Sequence, residues 1–179
     1  MHLARILSLW PLALAVTHPH ADETGSTVPS HIDVARQSRV DLYIDRGLPF
    51  LSKKWGPAQF RTLSGFRSVA ITEEPGQEGD GQLDSIHEFE YADMKVWLWC
   101  VPKGSDKCLV QQVTVQSSTR KTMFGIRVGD SSAALRRVFG PPHRIEKQIW
   151  RYFGYPTSAV HFFLEGDRIQ YIVWDLYTG

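Results

Sequence analysis

Residues 129–132 read Gly-Asp-Ser-Ser, and a serine set behind Gly-Asp is an arrangement that can serve nucleophilic hydrolysis. That chemistry needs a base within reach of the hydroxyl, ordinarily a histidine held by a carboxylate. Near the C-terminus, Asp175 is followed by Leu176, Tyr177 and Thr178, with no histidine. The same four residues are explained by a helix start, with Asp130 or Ser131 as the N-cap. They are read as that cap, and no catalytic residue is assigned.

Metal chemistry is the next possibility. Cleavage after Ala15 would leave Val16 as a free amine with His18 at the third position, a square-planar chelate for Cu(II) or Ni(II). The remaining histidines considered (His31, His87, His143 and His161) show no ligand spacing, so no metal site is assigned. A P-loop, a zinc spacing, a dinucleotide fingerprint and a paired-carboxylate motif are all missing from the sequence, and no cofactor is expected.

Cys100 and Cys108 are the only cysteines, in "VWLWCVPKGSDKCLVQQVTV". An apolar strand runs into the first, a Pro/Gly-rich link follows, and a strand starts at the second. This predicts a disulfide stapling the mouth of a hairpin, in an oxidising compartment. The first residues agree with export. Arg5 precedes the apolar run Ile6–Ala15, which is too short to span a bilayer but suits a signal peptide, and Ala13-Leu14-Ala15 supplies a cleavage signal. Residues 1–15 are therefore read as a signal peptide and 16–29 as a linker. No later segment is apolar enough to cross a membrane as a helix.

Composition bounds the rest. The chain has 179 residues, 42% hydrophobic and 22% charged, which is a globular balance. Formal net charge is +1, so no global field points to nucleic acid. Local charge is uneven. Glu73 to Asp93 holds eight acids and no Lys or Arg, and Arg120 to Arg151 holds eight bases against Asp130 and Glu146.

The elements that would position these residues appear in order. Ser30 caps a helix through about Arg39, "VDLYI" (40–44) reads as a strand, and Asp45–Trp55 reads as a helix stopped by Gly56-Pro57. "FRSVAI", "SIHEFEY", "KVWLWC" and "CLVQQVTVQ" read as strands around an acidic loop, Glu73–Asp84. "FGIRV" reads as a strand, followed by a helix to Phe139, a stop at Gly140-Pro141, and the strands "QIWRYFGY", "AVHFFLE" and "RIQYIVWDL". Gly166-Asp167 joins the last two as a tight hairpin.

"LSKKWGPAQ" and "LRRVFGPP" align at an 84-residue shift, and Gln111 falls on Gln170 at a shift of 59. The reading is α+β: two tandem helix-on-antiparallel-sheet units, residues 30–118 and 119–179. Strand alternation puts Val160, Phe162, Leu164, Ile169, Tyr171 and Val173 under the helix, with Val96, Leu98, Cys100, Cys108 and Val110 in the first unit. The opposite face then carries Trp97, Trp99, Gln111, Val113 and Val115, with His161, Phe163, Glu165, Arg168, Gln170, Ile172 and Trp174. Of these, Trp97, Trp99, Gln111, His161, Phe163, Arg168, Gln170 and Trp174 form the expected partner-binding set, because large aromatics among polar groups compose an interface core.

"GIRVGDSSAALRRVFGPP", "WRYFGY" and "AVHFFLEGDRIQYIVWDL" resemble the fold shared by the β-lactamase inhibitor proteins and the BamE-like outer-membrane assembly lipoproteins. The resemblance covers residues 124–176 well and 40–115 loosely. It implies a sheet whose concave aromatic surface grips a protein partner. The chain lacks the lipobox cysteine of the lipoproteins, and has one cysteine pair where the inhibitors have one disulfide per unit. The expected function is an exported inhibitor or immunity-type protein that occludes an enzyme or toxin. The alternatives are an envelope-assembly scaffold, and a hydrolase or small-ligand binder using the same face.

Overall fold

The computed structural model describes residues 31–76, 81–104 and 108–176, with side chains from residue 34. The segments read as signal peptide and linker, with His18, lie outside these residues.

The first helix, α1 (His31–Arg46), runs straight through the segment read as a strand. Val40, Tyr43 and Ile44 are all buried, and their i, i+3, i+4 spacing is helical. A short "VDLYI" run fits a strand in isolation, but its burial follows the 3.6-residue period. Residues 47–53 are turns, and α2 is only Pro57–Arg61. Gly56-Pro57 therefore opens a helix instead of closing one: Gly56 is the N-cap and Pro57 sits at the first helical position, where its missing N–H costs nothing.

Four strands follow: β1 (Phe66–Pro75), β2 (Leu83–Tyr91), β3 (Met94–Cys100) and β4 (Cys108–Val115). The loop expected from Glu73 is shorter than read, because β1 and β2 extend into it. "FGIRV" forms no strand. Met123–Gly125 is a 3-10 turn in which Phe124 and Gly125 both take left-handed backbone. Then come α3 (Ser132–Phe139), β5 (Arg144–Glu146), β6 (Ile149–Phe153), β7 (Ala159–Glu165) and β8 (Arg168–Asp175). Ser131 caps α3, its hydroxyl accepting from Ala134 N at 3.3 Å. Gly140 ends the helix with φ 77°, and a Cβ there would lie 2.8 Å from Arg36 Cδ. The positive φ calls for glycine, while the Arg36 side chain could swing aside.

All eight strands form one antiparallel sheet in the order β1-β2-β3-β4-β8-β7-β6-β5. Two tandem helix-on-sheet units are therefore not what the chain builds. Residues 30–118 and 119–179 share a continuous sheet through the β4–β8 pair, Gln112–Val115 against Ile172–Asp175. They also share one core, where Tyr43 of α1 packs on Trp174, Phe139 and Phe162. The two Gly-Pro pairs on which the repeat rested do opposite jobs, one starting α2 and one following α3.

The helices line one face of the sheet. Buried tyrosine hydroxyls tie them down: Tyr91 of β2 donates to Phe60 O of α2 at 2.7 Å, and Tyr152 of β6 donates to Gly140 O behind α3 at 3.0 Å. Each ties a carbonyl at a helix end to a strand of the sheet. Cys100 and Cys108 form the expected disulfide at the mouth of the β3–β4 hairpin.

Candidate protein-binding face

Two bulges decide which residues reach the face opposite the helices. Along β4, Trp97 is opposite Gln112 but Leu98 is opposite Val110, so Gln111 is the extra residue. Along β8, Phe163 is opposite Tyr171 but Leu164 is opposite Ile169, so Gln170 is the extra residue. One extra residue inverts the alternation beyond it. Val113 and Val115 turn into the core, as do Ile172 and Trp174, all fully buried. Tyr171 and Val173, read as core, turn outward in exchange.

The open face consequently differs from the expected set. Trp97, Trp99, His161 and Phe163 lie on it. Trp174 does not: it is 0% exposed, and its indole N–H donates to Tyr43 O. Gln111 and Gln170 sit at the bulges, and the Gln111 carbonyl accepts from Leu176 N. Arg168 donates to Gly129 O at 3.0 Å beside the start of α3, which commits its guanidinium to the fold.

Cross-strand pairing gives the face its geometry. One row runs Glu88, Trp97, Gln112, Asp175, Ala159, Phe153. The next runs Glu90, Lys95, Thr114, Val173, His161, Arg151. Trp97 is 41% exposed and Leu109 is 50% exposed, while Trp99 is half-buried. Phe163 and Tyr171 stack with ring centroids 4.1 Å apart. No described helix packs over these residues.

Charge on the face is divided. On the β2–β3 side, Lys95 Nζ lies 3.7 Å from Glu88 and 3.9 Å from Glu90. On the β5–β7 side, Arg144 and Arg151 share Glu146, Arg151 at 2.7 Å. The Arg151 Nε is buried with no hydrogen-bond partner. His161 stands beside Arg151, its Nε2 3.9 Å from Asp175, which is too long for a hydrogen bond. Burial pushes the His161 pKa down, and the Arg151 charge adds to this, against the opposing pull of Asp175 and Glu146.

The Gly-Asp-Ser-Ser residues are all absorbed by structure. Asp130 accepts from Arg127 N at 2.8 Å, Ser131 caps α3, and Ser132 bonds Asp167. A different serine has a histidine beside it. Ser85 Oγ is 3.0 Å from His87 Nε2, at the wall of a pocket of about 410 Å³ shared with Pro57, Ala58 and Ile71. The S-x-H spacing on a strand puts both on one face, a signal that reading "SIHEFEY" only as a strand passes over. Ser85 is 1% exposed, and His87 Nδ1 is buried without the orienting partner that a nucleophile–base pair requires. The bond satisfies a buried hydroxyl. Among the described residues, no cluster of His, Cys, Asp or Glu is arranged to hold a metal ion.

Comparison with family models, curated proteins and solved structures finds no match to this chain.

Proposed function

We propose that this protein is an exported protein-binding module that occludes an enzyme or toxin with the open face of its sheet. The reading rests on one observation: the face opposite the helices carries Trp97, Trp99, Phe163 and Tyr171 among polar side chains, with no described element packed over them. Sheets with helices on one side ordinarily leave a polar outer face. Here the outer face carries two aromatic pairs, Trp97 with Trp99 and Phe163 with Tyr171, with Gln112, Thr114, Val173 and His161 between them, and aromatics among polar groups are what interfaces use as anchors. A protein is the partner because the exposed aromatic side chains are spread over several strands of the sheet instead of converging on one pocket. The Cys100–Cys108 disulfide supports an oxidising compartment, as does the apolar run 6–15 read as a signal peptide. The sequence resemblance to secreted inhibitor proteins supports the choice of an enzyme or toxin as the target.

The test is capture of partners from the envelope and secreted fractions with the full chain, followed by affinity measurement with the purified partner. Trp97→Ala and Trp99→Ala are each expected to weaken binding by about tenfold or more. Unchanged affinity in both variants, with the fold intact by circular dichroism, overturns the use of this face.

A further inference from the structure

Leu51 to Trp55 read as the end of a helix in the sequence, and the structure leaves them outside any helix. They link α1 to α2, and all five line a pocket of about 450 Å³. Volumes of this order hold small organic ligands. The other walls are the end of α1, the start of β4 at Cys108–Val110, and Leu176 just past β8. The sheet leaves room there, because β4 pairs with β8 only from Gln112 onward.

The pocket is apolar inside and cationic at its rim. Ile44 is 1% exposed, and Val110 and Leu176 pack on the core. Trp55 is a fixed wall, edge-on to Phe60 with centroids 5.6 Å apart and tilted against Phe50 at 6.1 Å. Arg46, Lys53 and Lys54 are exposed around this interior, against one acid, Asp45. Arg46, in the last turn of α1, also suits the negative end of the helix dipole. Lys53 and Lys54 have no such role. Among the described residues neither makes an ion pair, and Lys53 Nζ lies over the Trp55 ring, 5.4 Å from its centre. Two adjacent ammonium groups repel one another, and an anion between them relieves that repulsion.

We propose that this pocket binds a small organic carboxylate, its apolar body against Ile44, Val110, Leu176 and Trp55 and its single anionic head at Lys53 and Lys54. Exposed lysines in water hold a free inorganic ion weakly. The apolar body therefore supplies the affinity and the head supplies the selection. Asp45, on the α1 side, repels the head and leaves the lysine side as its seat. The ligand is a small molecule because the lining converges on one concavity from separate segments of the chain. The pocket adjoins the open face at Leu109, but its cations and its indole come from the segment between α1 and α2, so the inference does not depend on the partner of that face.

The experiment is a titration of the full chain with decanoate, kept below its micelle concentration, and with decanol as the neutral match. Binding is followed through the indole N–H signals by NMR, with Trp55→Phe and Trp97→Phe assigning the two that matter. Decanoate should shift the Trp55 signal saturably, less tightly at high salt, and decanol should bind about tenfold more weakly. Lys53→Glu joined to Lys54→Glu should weaken decanoate about tenfold and leave decanol unchanged, a contrast that a disturbed fold would not give. Lys147→Glu, in the β5–β6 turn outside the pocket, should change neither. Decanol binding as tightly as decanoate overturns the proposal. So does the lack of a saturable shift at Trp55, a shift centred on Trp97 instead, or an affinity for decanoate indifferent to the paired lysine substitutions.

Discussion

The indole N–H of Trp174 donates to the carbonyl of Tyr43 at 3.2 Å, joining β8 to the last turns of α1. The two rings also pack with centroids 5.2 Å apart. Gly47 makes room for this contact, since a Cβ there would lie 2.9 Å from Trp174 Nε1 and 2.3 Å from Tyr43 O. The helix layer is thus keyed to the strand next to the β4–β8 seam, where the first and second halves of the sheet meet.

Trp174→Ala should therefore destabilise the chain by roughly 3–5 kcal/mol, the range for emptying a large buried aromatic site. Trp174→Phe keeps most of the packing and loses one of the two bonds to the Tyr43 carbonyl, which still accepts from Gly47 N at 2.8 Å, and the lost bond should cost about 0.5–1.5 kcal/mol. Urea unfolding followed by circular dichroism gives both values. Trp97→Ala is the control: Trp97 is 41% exposed, so its stability cost should be well below that of Trp174→Ala. Equal costs would contradict the opposite placement of the two indoles.

Reduction of Cys100–Cys108 tests the hairpin staple. The bridge spans 8 positions. Chain-entropy arithmetic for so small a loop gives roughly 2–3 kcal/mol. The urea midpoint should fall with a reductant present, and the Cys100→Ala, Cys108→Ala double variant should match the reduced protein and ignore reductant. A midpoint unmoved by reduction would mean that the bridge constrains nothing that unfolding releases.

Strand existence was legible wherever alternation and turn residues agreed, as in the Gly166-Asp167 hairpin and the disulfide hairpin. Within each bulged strand, β4 and β8, faces were legible only as far as the bulge. Gln111 and Gln170 carry no mark distinguishing an extra residue from a paired one, yet each inverts everything beyond it. Trp97 and Phe163 precede the bulges and stay on the open face. Trp174, Val113 and Val115 follow them and go inside, and the outward Tyr171 and Val173 were missed for the same reason. "VDLYI" and Gly56-Pro57 misled differently. β-branched residues and a Gly-Pro pair are local signals that helix and strand, or start and stop, can share. Packing settles each, Tyr43 against Trp174 and Phe60 against Phe89, and both contacts are non-local.

Asp93 and Arg120 offer a further test. Arg120 grips Asp93 through two bonds, Nε at 2.9 Å and the terminal nitrogen at 2.5 Å, and both side chains are mostly buried. The pair fastens the β2–β3 turn to the segment leaving β4. Asp93→Ala leaves the guanidinium partly buried and unpaired, and should cost roughly 1–3 kcal/mol, with Asp93→Asn intermediate. An exposed pair such as Lys95–Glu90 should matter far less. Thermal unfolding of the three variants ranks them, and parity between Asp93→Ala and Glu90→Ala would refute the distinction.

Stability should fall as pH drops through the range where free histidine titrates. His161 and His87 both have folded pKa values lowered from 6.5, chiefly by burial, with Arg151 adding to the effect at His161 and Arg61 at His87. Below 6.5 the unfolded chain therefore takes up protons that the folded chain refuses. Stability rises with pH wherever the unfolded state binds more protons, so the contribution of these two residues is complete above 6.5 and lost progressively below it. His161→Gln and His87→Gln should each flatten part of this slope. Asp175 raises the His161 pKa, so Asp175→Asn should lower it further and steepen the loss. Urea midpoints measured from neutral pH down to about 5 separate these residues from the ordinary carboxylates, which titrate lower. A slope unchanged in His161→Gln would show that this imidazole is equally free to protonate in both states, contrary to its burial beside Arg151.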